Sequence, residues 1–378
     1  MSKKKLKKKR TMPSLSLGKS GDLSIVLIVM LLCIFGTIMI FSASYYYALA
    51  AEGNAYAYLK KQLMWLVLGI AAMFITSNID YHLYDRFYQW IYAVGLALLV
   101  AVKLPGVGTE VGGATRWIFV GPITIMPGEI AKICIIFAIA GFYRRHPNAI
   151  KQIGGVFIPI AMTVVYAGLI LWQPNMSTAF TVVFICAGML LVAGVKWIHL
   201  AALSVLGGGG AFVLMVSSEY RRARYLSFLD PFEYSLDIGY QVVQSLLALG
   251  TGGFRGLGLG KSIQKTLYLS QPHNDFILAI IGEELGLIGI LALMITYVFL
   301  IWRISKAAMN AKDYYGMMLA TGIATMIGVQ ASVNIAVVTS SMPPTGLILP
   351  FVSYGGNALM LLLGLIGVLI NITKQSAD

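Results

Sequence analysis

This sequence is short of charge. Of 378 residues only 11% are Asp, Glu, Lys or Arg, while 58% are hydrophobic. A soluble globular chain carries roughly 25% charged residues, so the polar surface needed to face water is missing. No hydrophilic stretch is long enough for an independent soluble domain, and the chain reads as one integral membrane domain with a short tail. Cysteine is scarce as well. Cys33, Cys134 and Cys186 each sit inside an apolar run, and an odd count in such places argues against a disulfide framework and a zinc site. Acid is the scarcer sign, with 15 Asp and Glu against 28 Lys and Arg and a net charge of +13. Much of that excess lies in the opening block MSKKKLKKKR. The apolar run behind it, Leu23 to Phe41, is long enough to span a bilayer. The block therefore reads as the flank of an uncleaved first helix, lying on anionic lipid, rather than as a signal peptide or a nucleic-acid site.

Long apolar runs are what the chain does have. At about 20 residues per crossing, ten segments qualify: Leu23–Ala43, Gln62–Ile79, Phe87–Val102, Glu129–Tyr143, Ile153–Trp172, Thr178–Val195, Trp197–Val216, Phe276–Trp302, Tyr315–Val338 and Ala358–Ile372. An even number puts both termini on one side, and the basic tail makes that side the cytoplasm. The expected fold is an all-α integral membrane protein. It has a basic cytoplasmic tail over 1–22, a polytopic domain over 23–374 and a short cytoplasmic C-terminal tail over 375–378.

The longest outer loop, about 217–274, breaks the charge pattern, for it holds Arg221, Arg222, Arg224, Arg255, Lys261 and Lys265. Long loops cross regardless of charge. Six cations beside the membrane suggest an anionic ligand; contact with anionic headgroups is the alternative. Within the loop, GTGGFRGLGLGKS imitates a phosphate loop, but the Walker spacing fails, since the required glycine position is Arg255 and no strand precedes it. Two readings remain: glycines that let backbone N–H groups approach an anion, and glycines that permit close packing.

Ionisable groups inside apolar segments are costly, so they must face the bundle interior or water. Glu129 and Lys132 are three apart and can neutralise one another on one helix face. Glu283 and Glu284 lie about two turns into the eighth span. As neighbours on a helix they should diverge, one packing inward and the other capping or reaching the surface. The remaining outer loops, GGATRWIFVGPITIMPGE, WQPNMSTA and SSMPPTGLILPFVSYGG, are polar or rich in Pro and Gly, which suits non-helical backbone lining a cavity. Constrained sequence thus gathers on one face, unlike a carrier with inverted repeats and a midplane site.

Five blocks in order carry a family resemblance: GGATRWIFVGPITIMPGEIAK, QPNMSTA, RARYLSFLDPF with GYQVVQSLLALGTGGFRGLGLGKSIQKTLYL, HNDFILAIIGEELG, and MPPTGLILPFVSYGG. They resemble the SEDS family (shape, elongation, division and sporulation), with details closer to its division and sporulation branch. The resemblance implies a peptidoglycan glycosyltransferase that polymerises lipid II at the outer face of the cytoplasmic membrane. It implies a class B penicillin-binding protein as partner, beside other division or sporulation proteins and membrane lipids, and a place at the septum. Asp275 matches the family's essential outer-loop acid and becomes the expected general base for a sugar hydroxyl. Arg116, Arg221, Arg222, Arg224, Arg255, Lys261 and His273 become candidates to hold the diphosphate and headgroup. A divalent cation, Mg or Mn, is compatible with that role and is not legible in the sequence. Glu129, Lys132, Glu283 and Glu284 are left as structural or regulatory. Asn175 stands where the family often has Asp, so no catalytic duty is assigned to it; Gly128 and Asn357 also depart from the common pattern. A lipid II flippase and a noncatalytic scaffold are the competing functions.

Overall fold

The computed structural model describes residues 21–376, apart from 112–113, 122, 150–152, 235–238 and most of 197–218. Helix α1, Leu23–Glu52, begins where the Asp22 side chain accepts from the Ser24 amide and ends at Gly53 in a left-handed conformation. Then come α2 (Ala57–Asn78), α3 (His82–Arg86), α4 (Tyr88–Ala101), α5 (Pro127–Arg145), α6 (Ile153–Trp172) and α7 (Met176–Ala193). The segment between residues 217 and 274 holds α8 (Glu219–Leu229) and α9 (Tyr240–Gly252), and α10 (Ile277–Met309), α11 (Tyr314–Val338) and α12 (Asn357–Ser376) follow.

Among the described residues seven helices are long and apolar enough to cross a membrane: α1, α2, α6, α7, α10, α11 and α12. The expected crossings at Phe87–Val102 and Glu129–Tyr143 are the helices α4 and α5. The former is a shorter apolar helix. The latter carries Glu129 and Lys132 near its start and Arg144 and Arg145 at its end, yet it is buried almost throughout from Pro127 to Tyr143. The expected crossing Trp197–Val216 falls almost entirely outside the described residues. The chain is a multi-pass, predominantly helical membrane protein.

Two features depart from the sequence reading. The segment expected as rigid loop between α4 and α5 is an antiparallel sheet, with β1 (Gly108–Val111), β2 (Ala114–Val120) and β3 (Ile123–Ile125) in that order and a bulge at Thr109/Glu110. The segment expected as a long outer loop is not simply a loop either, since α8 and α9 lie within it.

Hydrogen bonds sort the helix ends into two groups. At one end the Asp22 amide donates to Thr373 Oγ1 at 3.1 Å and Arg303 pairs with Asp22 at 2.5 Å. There too Arg144 lies 3.4 Å from Asp85 and 3.7 Å from Asp313, and Tyr81 donates to Asp313 at 2.9 Å. This is the basic end, where both described termini meet. The sheet, the 173–177 turn, the start of α10 and residues 340–356 gather at the other end.

Candidate active site

Asp275 sits at the mouth of the bundle, in the turn that leads into α10, and is partly exposed. Two groups hold its backbone and flank its side chain. Asn334 of α11, 1% exposed, donates its Nδ2 to the carbonyls of Asp275 and Leu347, both at 2.7 Å. A Cβ placed on Gly346 would lie 3.7 Å from Asp275 Oδ2, so the 340–356 segment passes directly beside the carboxylate. That segment is tied to α7, because Ser177 Oγ donates to the Thr345 carbonyl. Asn334 was not legible as a site residue; its one signal is a carboxamide within an apolar run.

His273, two residues before, is 1% exposed and lies among Tyr58, Tyr47 and Tyr354, with ring centroids at 4.3, 5.2 and 5.6 Å. Its carbonyl accepts from the Tyr354 amide at 2.9 Å. Burial pushes its pKa down to about 4, so the ring is neutral. It acts as a wedge beneath the turn, a different position from the headgroup contact expected of it. A buried neutral imidazole has a stability consequence. The unfolded chain takes up a proton as pH falls below about 6.5, and the folded chain does so only near 4. Stability present above pH 6.5 is therefore lost progressively toward pH 4, by roughly 3 kcal/mol in total. Thermal melts in detergent across that range show the loss for wild type and a weaker one for His273→Phe; identical profiles would contradict the burial argument.

Asn175 caps α7, its side chain accepting from the Thr178 amide at 3.2 Å, and this structural task accounts for its presence. Arg116 of β2 donates Nε to the Gln173 carbonyl at 3.2 Å and Nη2 to the Pro174 carbonyl. It thereby staples the sheet to the turn before α7. The Glu129–Lys132 pair forms as expected, at 2.7 Å with Lys132 buried. Arg222, Arg255 and Lys261 are exposed, whereas the side chains of Arg221 and Arg224 lie outside the described residues. Among the described residues no three His, Cys, Asp or Glu side chains gather to hold a metal ion.

The glutamate pair corrects the sequence reading. Both Glu283 and Glu284 are fully buried. Helix α10 is broken just after them, at Gly286, with φ 69° and ψ −168°. Residues 253–265 form a strap packed into the break. Glu283 accepts from the amides of Ile263 at 3.0 Å and Gln264 at 3.2 Å, and from Ser262 Oγ. Glu284 accepts from Lys265 Nζ at 2.8 Å and from Ser42 Oγ of α1 at 2.7 Å. Neighbouring side chains diverge on a free helix face; here the strap wraps the helix and meets both directions. Of the strap glycines Gly256 serves close packing, since a Cβ there would lie 2.2 Å from the Glu284 carbonyl oxygen, whereas Gly253, Gly258 and Gly260 have room for a Cβ and share a positive φ. Lys265, expected among the ligand-seeking cations, is 3% exposed and is spent on Glu284.

The family profile for FtsW, RodA and SpoVE, described as cell cycle protein, matches residues 22–378. Stage V sporulation protein E of Bacillus subtilis (strain 168) is 39% identical over 359 residues, covering 94% of this chain and 98% of its own. A probable peptidoglycan glycosyltransferase FtsW of Geobacter sp. (strain M18) is 35% identical over 355 residues, covering 94% and 97%. Among solved structures, a chain of a peptidoglycan synthase complex that coordinates polymerization and crosslinking matches with a TM-score of 0.76 at 26% identity, covering 95% and 99%. The rod shape determining protein RodA of Thermus thermophilus matches with a TM-score of 0.69 at 26% identity, covering 95% and 98%.

Proposed function

The chain belongs to the FtsW, RodA and SpoVE family of cell cycle proteins, and we propose that it carries out its chemistry at the rim around Asp275. It is a membrane-embedded peptidoglycan glycosyltransferase. On our reading its substrate is lipid II. Asp275 takes the proton of an acceptor sugar hydroxyl, the freed oxygen attacks the anomeric carbon of the donor, and the bond to the diphosphate breaks as the glycosidic bond forms. Negative charge grows on the departing polyprenyl diphosphate, which calls for cations at the same rim. Arg222 is exposed and available for it, and Arg221 and Arg224 join it in the same stretch of sequence; Arg255 and Lys261 are exposed on the strap, at the level of the Gly286 break, from where they would meet the lipid-linked end of a substrate. Arg116 supports the rim through backbone carbonyls instead.

The observation that carries this reading is the setting of Asp275: a partly exposed carboxylate at the bundle mouth, its backbone gripped by buried Asn334. An apolar cavity of about 180 Å³, lined by Leu171, Met176, Phe180 and Val183, opens near the start of α7 and suits part of an isoprenoid chain. We place the reaction on the outer face of the bacterial cytoplasmic membrane, at a division or sporulation septum. A class B penicillin-binding protein is the proposed partner, with other division or sporulation proteins in attendance. A flippase is less favoured, because the deep carboxylates that would mark a polar path are occupied by the strap. A scaffold would keep polymerisation when Asp275 is changed.

Charge reversal tests the cation assignment. Arg222→Glu, and likewise Arg221→Glu and Arg224→Glu, weakens binding to liposome-embedded lipid II by about ten- to a hundredfold, the scale of one charge-assisted hydrogen bond. Unchanged binding in all three variants would leave these residues as mere neighbours of the lipid surface.

A further inference from the structure

In an unbroken α10 the amides of Leu287 and Ile288 would donate to the carbonyls of Glu283 and Glu284, four residues earlier. Instead those carbonyls accept from the amides of Leu257 and Gly258, each at 2.9 Å. The Leu287 and Ile288 amides donate to the carbonyls of Gly253, at 2.9 Å, and Phe254, at 3.3 Å. The strap has taken over these helical bonds one for one. The backbone groups of α10 can thus be satisfied in two ways. In the one seen, the strap is docked and Gly286 adopts its positive φ. In the other, Gly286 returns to helical φ, α10 closes on itself, and the Gly253 and Phe254 carbonyls and the Leu257 and Gly258 amides of the strap must find new partners.

Side chains decide between them. Lys265 Nζ reaches Glu284 at 2.8 Å and Ser42 Oγ at 3.0 Å, while Ser42 donates to both Glu284 oxygens at 2.7 and 2.9 Å. This buried cluster joins α1, the strap and α10. We infer that Ser42, Lys265 and Glu284 form a lock that holds the strap in the broken helix and thereby positions Asp275. The short helical segment Ile277–Leu285 carries Asp275 at its head and Gly286 at its foot, so the angle at Gly286 sets where the carboxylate stands. Undocking removes Lys265 from a buried carboxylate, which is costly; docking forgoes a regular helix. These are positioning residues, and only the activity part of their test rests on Asp275 as the base.

The test is hydrogen exchange read by mass spectrometry on the full chain in detergent, beside turnover with its partner on lipid II. In Lys265→Met the amides of 253–265 lose protection, while those of Leu287 and Ile288 keep it by bonding within α10. Turnover falls on the order of a hundredfold, the effect of a base misplaced by about 1 Å, with KM little changed. Gly286→Ala reaches the same state by another route. Its Cβ would lie 2.4 Å from the Gly256 nitrogen and 2.5 Å from the Phe254 oxygen, and alanine favours the closed helix. It gives the same asymmetric exchange pattern. If Lys265→Met does not fold, Ser42→Ala, which removes one hydroxyl, is read the same way. Protection lost equally in strap and α10, or a strap as protected as in wild type, overturns the lock. Asymmetric exchange alongside an active Asp275→Asn variant would uphold the lock and remove the base assignment instead.

Discussion

Asp275→Asn abolishes practical polymerisation, with turnover down by roughly two to four orders of magnitude, the usual contribution of a general base. The substitution keeps size and hydrogen bonding and removes only basicity. The backbone carbonyl that Asn334 grips at 2.7 Å is untouched, so the turn should hold its shape. Expression, melting temperature and partner binding accordingly stay near wild type. The pattern to look for is a loss in turnover without a loss of fold. Near-normal glycan synthesis by this variant would end the assignment.

The second large effect concerns stability. Lys132 is 1% exposed and bonded to Glu129 at 2.7–2.8 Å near the start of α5, the most deeply enclosed helix of the bundle. Lys132→Met leaves the Glu129 carboxylate without that cation and costs about 3–5 kcal/mol, the scale for breaking a buried pair. The double variant Lys132→Met with Glu129→Gln removes the uncompensated charge and recovers most of the loss. Denaturant or thermal unfolding in detergent measures both. A single variant that loses under about 1 kcal/mol would show the pair to be solvated.

Much of this arrangement could be read from residues alone, for identifiable reasons. Hydropathy found the long helices because lipid demands a continuous apolar run, and it placed α5 through its central apolar stretch despite charges at both ends. The Pro- and Gly-rich segments are recognisable as constrained backbone, and the blocks around Asp275 carry the family resemblance. The sheet is less legible: T-R-W-I-F-V followed by G-P offers a strand and a turn signal, but strand pairing depends on partners elsewhere in the segment that short polar runs do not mark. Glu283 and Glu284 were misread for a different reason. The 100° rule assumes an intact helix whose faces meet different surroundings, whereas Gly286 breaks the helix and a distant segment encloses both carboxylates. Lys265 was counted with the ligand-binding cations because charge in a loop does not reveal its partner. Long-range pairing of that kind, from residue 42 to 284, has no local signature.

The account turns on polymerisation by this chain itself at the Asp275 rim, and one measurement reaches that claim most directly. Purified protein with the proposed penicillin-binding protein partner is given labelled lipid II in detergent micelles, where no membrane has two sides, and glycan products are resolved by length. The account predicts a ladder of strands from the wild type and none from Asp275→Asn. Lipid II left unpolymerised by an intact wild-type complex, while the same protein moves it across vesicle membranes, would contradict it.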